Sequence, residues 1–319
     1  MMPARVSVII PSHNSSATIE RAIDSVAAQT YPYVKVYLVD DASQDDTVTL
    51  VEAALSKVAQ TREHFDYEIV ALSVNGGPAA ARNAGVRKAD DEYVAFLDSD
   101  DVWLPEKLER QVALLDANPN VRLCGCQADW VDEEGRFQSK LYEGLPDMMT
   151  DGWKVLLWNC FIATPCAVVR RCDLGTEPFD TSLPIGEDRD LWIRLASNGD
   201  VALVPEVMVE ITVSSFSYMS RNSSLITSVT RPMLEKHMRD FSDSISGLEM
   251  LRARGKLCSD IGKVMCSDPA QYWDGFPYMV QAILFHSRRF DCLRYLVLNA
   301  PGFNKTKNHL KKAYIHLTK

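Results

Sequence analysis

Apolar and polar positions along the first hundred residues predict strand after helix after strand. Val6 to Ile10 is a β-branched run stopped by Pro11, as in a buried strand. Ile19, Ala22, Ile23 and Val26 recur at i, i+3, i+4 and i+7, which predicts a helix with Ser15 or Ser16 as its cap. Val34 to Val39 is a second strand running into Asp40-Asp41. Ser43 is expected to cap the next helix, whose apolar stripe is Val48, Val51, Leu55 and Val58. Glu68 to Leu72 predicts a third strand, and Asn75-Gly76-Gly77-Pro78 a turn into an alanine-rich helix. Tyr93 to Leu97 is a fourth strand, ending on Asp98-Ser99-Asp100-Asp101. Pro105 suits the first turn of a helix that carries Leu108, Val112 and Leu115 on one face.

This alternation predicts an α/β fold, a mixed and mainly parallel sheet with helices on both faces. The polar clusters fall just past the carboxyl ends of strands, the edge where open α/β sheets bind ligands. From about Val121 the pattern is mixed. Strands are expected at Val121 to Gln127, Ala167 to Arg170 and Val201 to Val204, and helices at Trp153 to Trp158 and Asp190 to Asn198. Beyond about Val229 the chain reads as helical, with Leu248, Leu251, Met279, Ile283 and Leu284 as packing positions. The expected organisation is one domain over residues 1–225, with halves meeting near residue 101, and a helical extension over 226–319.

Charge adds a second division. The 319 residues carry 43 acidic against 34 basic side chains, a net of −9, which argues against general nucleic-acid binding. From Arg288 onward eight basic residues face Asp291 alone, a net of +7 that leaves −16 on the preceding residues. The start of the chain lacks the apolar stretch of a signal peptide, and no apolar run is long enough to predict a membrane span. The eight cysteines form no CxxC, so reduced thiols in a cytoplasmic setting are expected, with Cys124 and Cys126 in the core.

Four clusters offer chemistry. Alternate residues leaving a strand point the same way, so Asp98 and Asp100 can converge on a hard cation, or form a solvated acidic turn. Asp41 can accept hydrogen bonds from a base or ribose, or can simply favour a helix start. Gly76 and Gly77 allow close backbone approach and Arg82 can bind phosphate, although the stretch is neither a Walker loop nor GxGxxG and also reads as a tight turn. Glu187-Asp188, ahead of a helix, offers a general base or a helix-stabilising charge.

In order and spacing, these strings resemble the family-2 inverting glycosyltransferases of the GT-A nucleotide-sugar fold. The matching stretches are Val6 through Asn14, Val39 through Ser43, Asn75 through Gly85, Phe96 through Asp101, and Glu187-Asp188 before Leu191-Trp192-Ile193-Arg194, covering about residues 5–200. The resemblance implies that Pro11, Ser12, His13, Asn14, Asn75 and Ser99 belong to the nucleotide site, with Asp41 reading the base and Arg82 near the diphosphate. It implies Asp98 at the ribose or metal, Asp100 as principal ligand of Mn2+ or Mg2+, and Asp188 as catalytic base with Glu187 as substitute. Arg221, in a loosely matching stretch, is a further candidate for closing over the diphosphate or acceptor. The family often has Tyr or Phe where this chain has His13, which implies weaker base stacking and no catalytic role for the imidazole.

The implied reaction is metal-dependent inverting transfer from a nucleotide-sugar donor, UDP-linked by resemblance. The acceptor would be a hydroxyl of a glycan, lipid-linked or protein molecule in surface polysaccharide synthesis. Two alternatives stand beside it. A metal-dependent nucleotidyltransferase needs a glycine-rich, basic loop that Pro11-Ser12-His13-Asn14 lacks, and a non-catalytic binding domain would not need the intact carboxylate set. The basic tail, interleaved with Tyr295 to Leu298 and Tyr314 to Leu317, suits contact with an anionic inner membrane face. A helical cap or contact with a second copy stays equally open.

Overall fold

The computed structural model describes residues 4–213, 225–267, 271–285 and 289–299. Its first part is a strand–helix series: β1 (Val6–Ser12), α1 (Ile19–Ala27), β2 (Val34–Asp40), α2 (Thr47–Thr61), β3 (Phe65–Ala71), α3 (Gly77–Lys88) and β4 (Tyr93–Phe96). Val6 through Ile10 are fully buried, and so are all four residues of β4, so both faces of the sheet are covered there. β1 pairs in parallel with β2 and β4, and β2 with β3. The chain winds outward from β1 to β3, then crosses back to place β4 on the other side of β1. That reversal creates the crevice in which doubly wound sheets bind ligands.

The next stretch contains β5 (Val102–Trp103), α4 (Lys107–Ala117), β6 (Val121–Val131), β7 (Phe137–Lys140) and β8 (Met148–Met149). It continues through α5 (Gly152–Leu156), a tight turn at Thr164–Cys166, β9 (Val168–Arg170), α6 (Glu187–Ala196) and β10 (Asp200–Thr212). All ten strands among the described residues join one sheet, in the order β3-β2-β1-β4-β9-β6-β10-β5, with β7 on β6 and β8 on β10. The long pair β6–β10 is parallel, whereas β9 is antiparallel to both β4 and β6. The sheet is therefore mixed and mainly parallel, as the alternation predicts.

Three local expectations change. Helix α1 starts after Thr18 and α2 after Asp46, neither with a side-chain cap. Ser15 instead turns its hydroxyl to Ser99, 2.8 Å away, and Ser43 accepts the Asn14 N–H at 2.9 Å. The third strand begins at Phe65, three residues before its apolar alternation becomes visible. Gly85 lets α3 lie close on β1, because a Cβ there would come within 2.6 Å of Ile9.

The chain divides into two compact units, Met1–Ser217 and Tyr218–Lys319. The second contains α7 (Arg231–Asp240), α8 (Gly247–Ser267), α9 (Tyr272–Phe285) and α10 (Arg289–Asn299). Its core gathers Cys266, Tyr272, Met279, Ala282, Cys292 and Leu296, with Ile283 packed against it. Leu248, Leu251 and Leu284 are exposed, contrary to expectation. Leu284 lies five residues past Met279, which turns it about 140° away from the core side of α9. Among the described residues, no helix is long and apolar enough to cross a membrane.

Candidate functional site

Strand register brings the polar clusters to one sheet edge. Ser12 stands level with Asp40, and Asp40 with Ala71. The Asp41 N–H donates to the Ser12 carbonyl at 2.8 Å, and the Leu97 N–H to the Ile9 carbonyl at 3.0 Å. The loops after β1 and β2 are then joined by side chains. Asn14 donates its backbone N–H to Ser43, and its Oδ1 accepts the Gln44 N–H at 2.8 Å. His13 Nδ1 lies 2.7 Å from the Asp41 carbonyl and Nε2 lies 3.0 Å from the Asn14 amide, so the imidazole carries its proton on Nδ1. Asn14 and Ala42 adopt left-handed backbone angles, φ 51° and 59°. For alanine this conformation carries strain, which only well-fixed surroundings maintain. Pro11 is half-buried beside these loops, and Ser12 is buried with a hydroxyl that has no partner among the described residues.

Asp41 is buried, and its carboxylate holds the start of α3. Oδ1 accepts the Gly76 N–H and Oδ2 the Gly77 N–H, each at 2.8 Å. Asn75 adds its Oδ1 to the Gly77 N–H at 3.1 Å. The residue expected to read a base therefore also ties the second loop to the third.

Arg82, expected near a diphosphate, engages two carboxylates in this structure. It is buried in α3, and donates to Asp98 at 2.7 Å and to Glu187 at 2.6 Å. Its guanidinium also lies 5.5 Å from the Phe179 ring centre. Burial opposes its charge, but the two carboxylates outweigh burial and hold the proton more firmly than usual. Burial raises the Glu187 carboxyl, with Asp188 adding to the effect and Arg82 opposing it.

Beyond Asp98, Asp100 is exposed, yet the protein packed around its carboxyl and, second, the Asp98 charge push it up to about 6. Asp101 is buried and raised further in the same way, while its Oδ1 accepts the Thr212 N–H at 2.9 Å. Arg21 and the Thr212 hydroxyl both donate to the Asp100 carbonyl, at 3.1 and 2.7 Å. Asp98 is thus paired with Arg82, while the exposed Asp100 and the buried Asp101 add negative charge beside it. No group of three or more His, Cys, Asp and Glu fit to hold a metal occurs among the described residues. Asp98 and Asp100 offer a two-carboxylate shell of hard oxygens, suited to a cation that keeps waters and takes phosphate oxygens from a substrate.

Asp188 stands in the first turn of α6, after Gly186 turns the chain at φ 77°. Its Oδ1 accepts the Arg189 backbone N–H at 2.7 Å, and its Oδ2 accepts the Thr164 hydroxyl at 3.1 Å. Cys160 lies close by, its thiol pushed up to about 12 by burial first and the Asp188 charge second. Thr164, Cys160 and Arg21 carry no local sequence signal, while Asp101 is visible in the acidic string without a role of its own. Arg221 lies outside the described residues, as does the chain beyond Asn299.

The family model described as glycosyl transferase family 2 matches residues 7–175. The chain is 30% identical over 210 residues to the uncharacterized glycosyltransferase RC0461 of Rickettsia conorii, a match covering 66% of this chain and 33% of that protein. It therefore spans about a third of that longer relative. Over 203 residues it is 29% identical to the UDP-Glc:alpha-D-GlcNAc-diphosphoundecaprenol beta-1,3-glucosyltransferase WfgD of Escherichia coli, covering 62% of this chain and 72% of WfgD. The mannosyltransferase PcManGT of Pyrobaculum calidifontis, solved with GDP-Man and Mn2+, superposes with a TM-score of 0.58 at 22% identity, over 92% of this chain and 79% of that one. That likeness establishes a shared GT-A fold.

Proposed function

The chain belongs to glycosyl transferase family 2, and from that premise we propose that it transfers a sugar from a nucleotide-diphosphate donor to an acceptor hydroxyl with inversion. One observation carries this reading. The buried Arg82 draws the Asp98 end of β4 and the Glu187-Asp188 mouth of α6 to one sheet edge. That edge can seat a donor's diphosphate beside Asp98 and Asp100 and present its anomeric carbon towards Asp188.

In the proposed reaction Asp188 takes the proton of the acceptor hydroxyl as that oxygen attacks the anomeric carbon. The bond from this carbon to the diphosphate oxygen breaks on the opposite side, and a nucleoside diphosphate leaves. A single displacement of this kind inverts the carbon and needs no enzyme nucleophile. Pro11, Ser12, His13, Asn14, Asp41, Asn75 and Ser99 would line the nucleotide, with the free Ser12 hydroxyl offering an unused hydrogen bond. Asp100 and Asp98 would hold Mn2+ or Mg2+, which when bound neutralises charge gathering on the leaving diphosphate. Arg82 serves this site from behind, by fixing Asp98 and Glu187.

We assign a UDP-sugar as donor and a lipid-linked glycan of a surface polysaccharide as acceptor, supported by the donor and diphosphoundecaprenol acceptor in the name of WfgD. The basic tail from Arg288 onward would suit such an acceptor by meeting an anionic membrane surface. A thermal-shift screen of UDP-glucose, UDP-N-acetylglucosamine and GDP-mannose, with and without Mn2+, tests the donor class. A ligand that binds only the native state raises the melting temperature. At least one UDP-sugar should do so in a metal-dependent way; stabilisation by none of them removes the reading.

A further inference from the structure

Thr164 precedes Asp188 by 24 residues, yet its hydroxyl donates to Asp188 Oδ2 at 3.1 Å. Thr164 is buried, and the turn that carries it is anchored on the next two carbonyls. The Trp103 indole donates to the Pro165 carbonyl at 2.8 Å, and the Gln111 amide to the Cys166 carbonyl at 2.9 Å. These anchors do not use the threonine hydroxyl. Its partner in the structure is the carboxylate, whose other oxygen is held by the Arg189 N–H at 2.7 Å.

We propose that Thr164 is a positioning residue for the transfer reaction, fixing the Asp188 carboxylate so that its remaining lone pairs face the acceptor hydroxyl. The proposal rests on Asp188 being the base. An ionised carboxylate has about four lone-pair sites, and two fixed donors, one on each oxygen, determine the plane in which the others lie. Among the described residues, only the adjacent backbone N–H would then hold the group without Thr164, leaving the carboxylate to turn about its own torsion. Small errors in such an orientation are costly to rate, because the reacting atoms must meet in a narrow geometry.

Thr164→Val keeps the side-chain shape and the turn's backbone anchors while removing the hydroxyl. In the full chain with Mn2+, nucleoside diphosphate release is followed with whichever of UDP-glucose, UDP-N-acetylglucosamine and GDP-mannose the wild type turns over. The valine variant should lose about ten-fold or more in kcat, the size of one hydrogen bond to a charged group, with the donor KM within about two-fold. Thr164→Ser should restore the rate. If valine disturbs folding, Thr164→Ala with an unchanged melting temperature gives the same readout. An unchanged kcat in the valine or alanine variant, beside an inactive Asp188→Asn, overturns the role of Thr164 alone. Wild-type turnover in Asp188→Asn overturns the base assignment and this proposal with it.

Discussion

The Arg82 guanidinium and the Glu187 carboxylate meet at 2.6 Å across 105 residues of chain, both buried. The same guanidinium holds Asp98 at 2.7 Å, so one cation supports carboxylates from two ends of the site. Removing one partner of a buried ion pair leaves the others desolvated and uncompensated, which costs about 3–5 kcal/mol. Arg82→Met should therefore lower stability in urea denaturation by about that amount and abolish turnover. Arg82→Lys has one ammonium for two carboxylates and should fall between the two proteins. A stable, active methionine variant would contradict the bridge as the organiser of the site.

Asp100 bears on metal use. Asp100→Asn keeps the size of the side chain and removes a negative hard-oxygen ligand. Calorimetric titration of Mn2+ in the presence of UDP should show at least ~10-fold weaker binding in this variant, and treatment of the wild type with EDTA should remove turnover that added Mn2+ restores. Equal Mn2+ affinity in variant and wild type would exclude Asp100 from the metal.

Buried thiols predict an alkaline limit. The buried Cys124 and the half-buried Cys160 keep their protons up to about 12, against an ordinary value near 9, chiefly through loss of water around the thiol. As pH rises above 9 the unfolded chain loses these protons first and the folded chain keeps them. Stability attributable to these groups is thus full below pH 9 and falls between 9 and 12, by about 1 kcal/mol per pH unit for a fully buried thiol. Melting temperatures measured from pH 8 to 10.5 should decline accordingly. Native thiol labelling at neutral pH should reach the exposed Cys172 before either of them.

Gly85 tests the packing behind the site. A methyl group there would press on Ile9 at 2.6 Å and lie 3.3 Å from Val39, residues of β1 and β2 just behind the site loops. Gly85→Ala should destabilise by about 1–3 kcal/mol through overpacking, despite alanine's better helix propensity. A gain in melting temperature would show that α3 has room to move.

The reach of sequence reasoning follows from locality. Val6 to Ile10, Val34 to Val39 and Tyr93 to Leu97 announce strands because each is a short β-branched or apolar run with its own stop signal. Their parallel register then makes the polar ends of β1, β2 and β4 neighbours, so a shared edge was legible from the alternation alone. The caps were not, because Ser15 and Ser43 have partners, Ser99 and Asn14, on other loops. Strand β9 was legible as a strand, but its antiparallel place between β4 and β6 depends on pairing at long range. Side-chain roles were hidden for the same reason. Arg82 looks phosphate-binding in its own helix, and only the fold brings Glu187 to it. Thr164 has no meaning until Asp188 is beside it, and Asp101 none until Thr212 arrives from 111 residues away.

The assignment of Asp188 as base in a nucleotide-sugar site is tested most directly by comparing Asp188→Asn with the wild type in two assays. One is metal-dependent donor binding; the other is steady-state release of nucleoside diphosphate with Mn2+. Asparagine keeps the shape and can still accept the Thr164 hydroxyl, but it cannot take a proton. Donor affinity should stay within a few-fold while turnover falls by about 10²–10⁴ or more, the usual contribution of a positioned general base. Turnover near that of the wild type, with donor binding intact, would contradict the account.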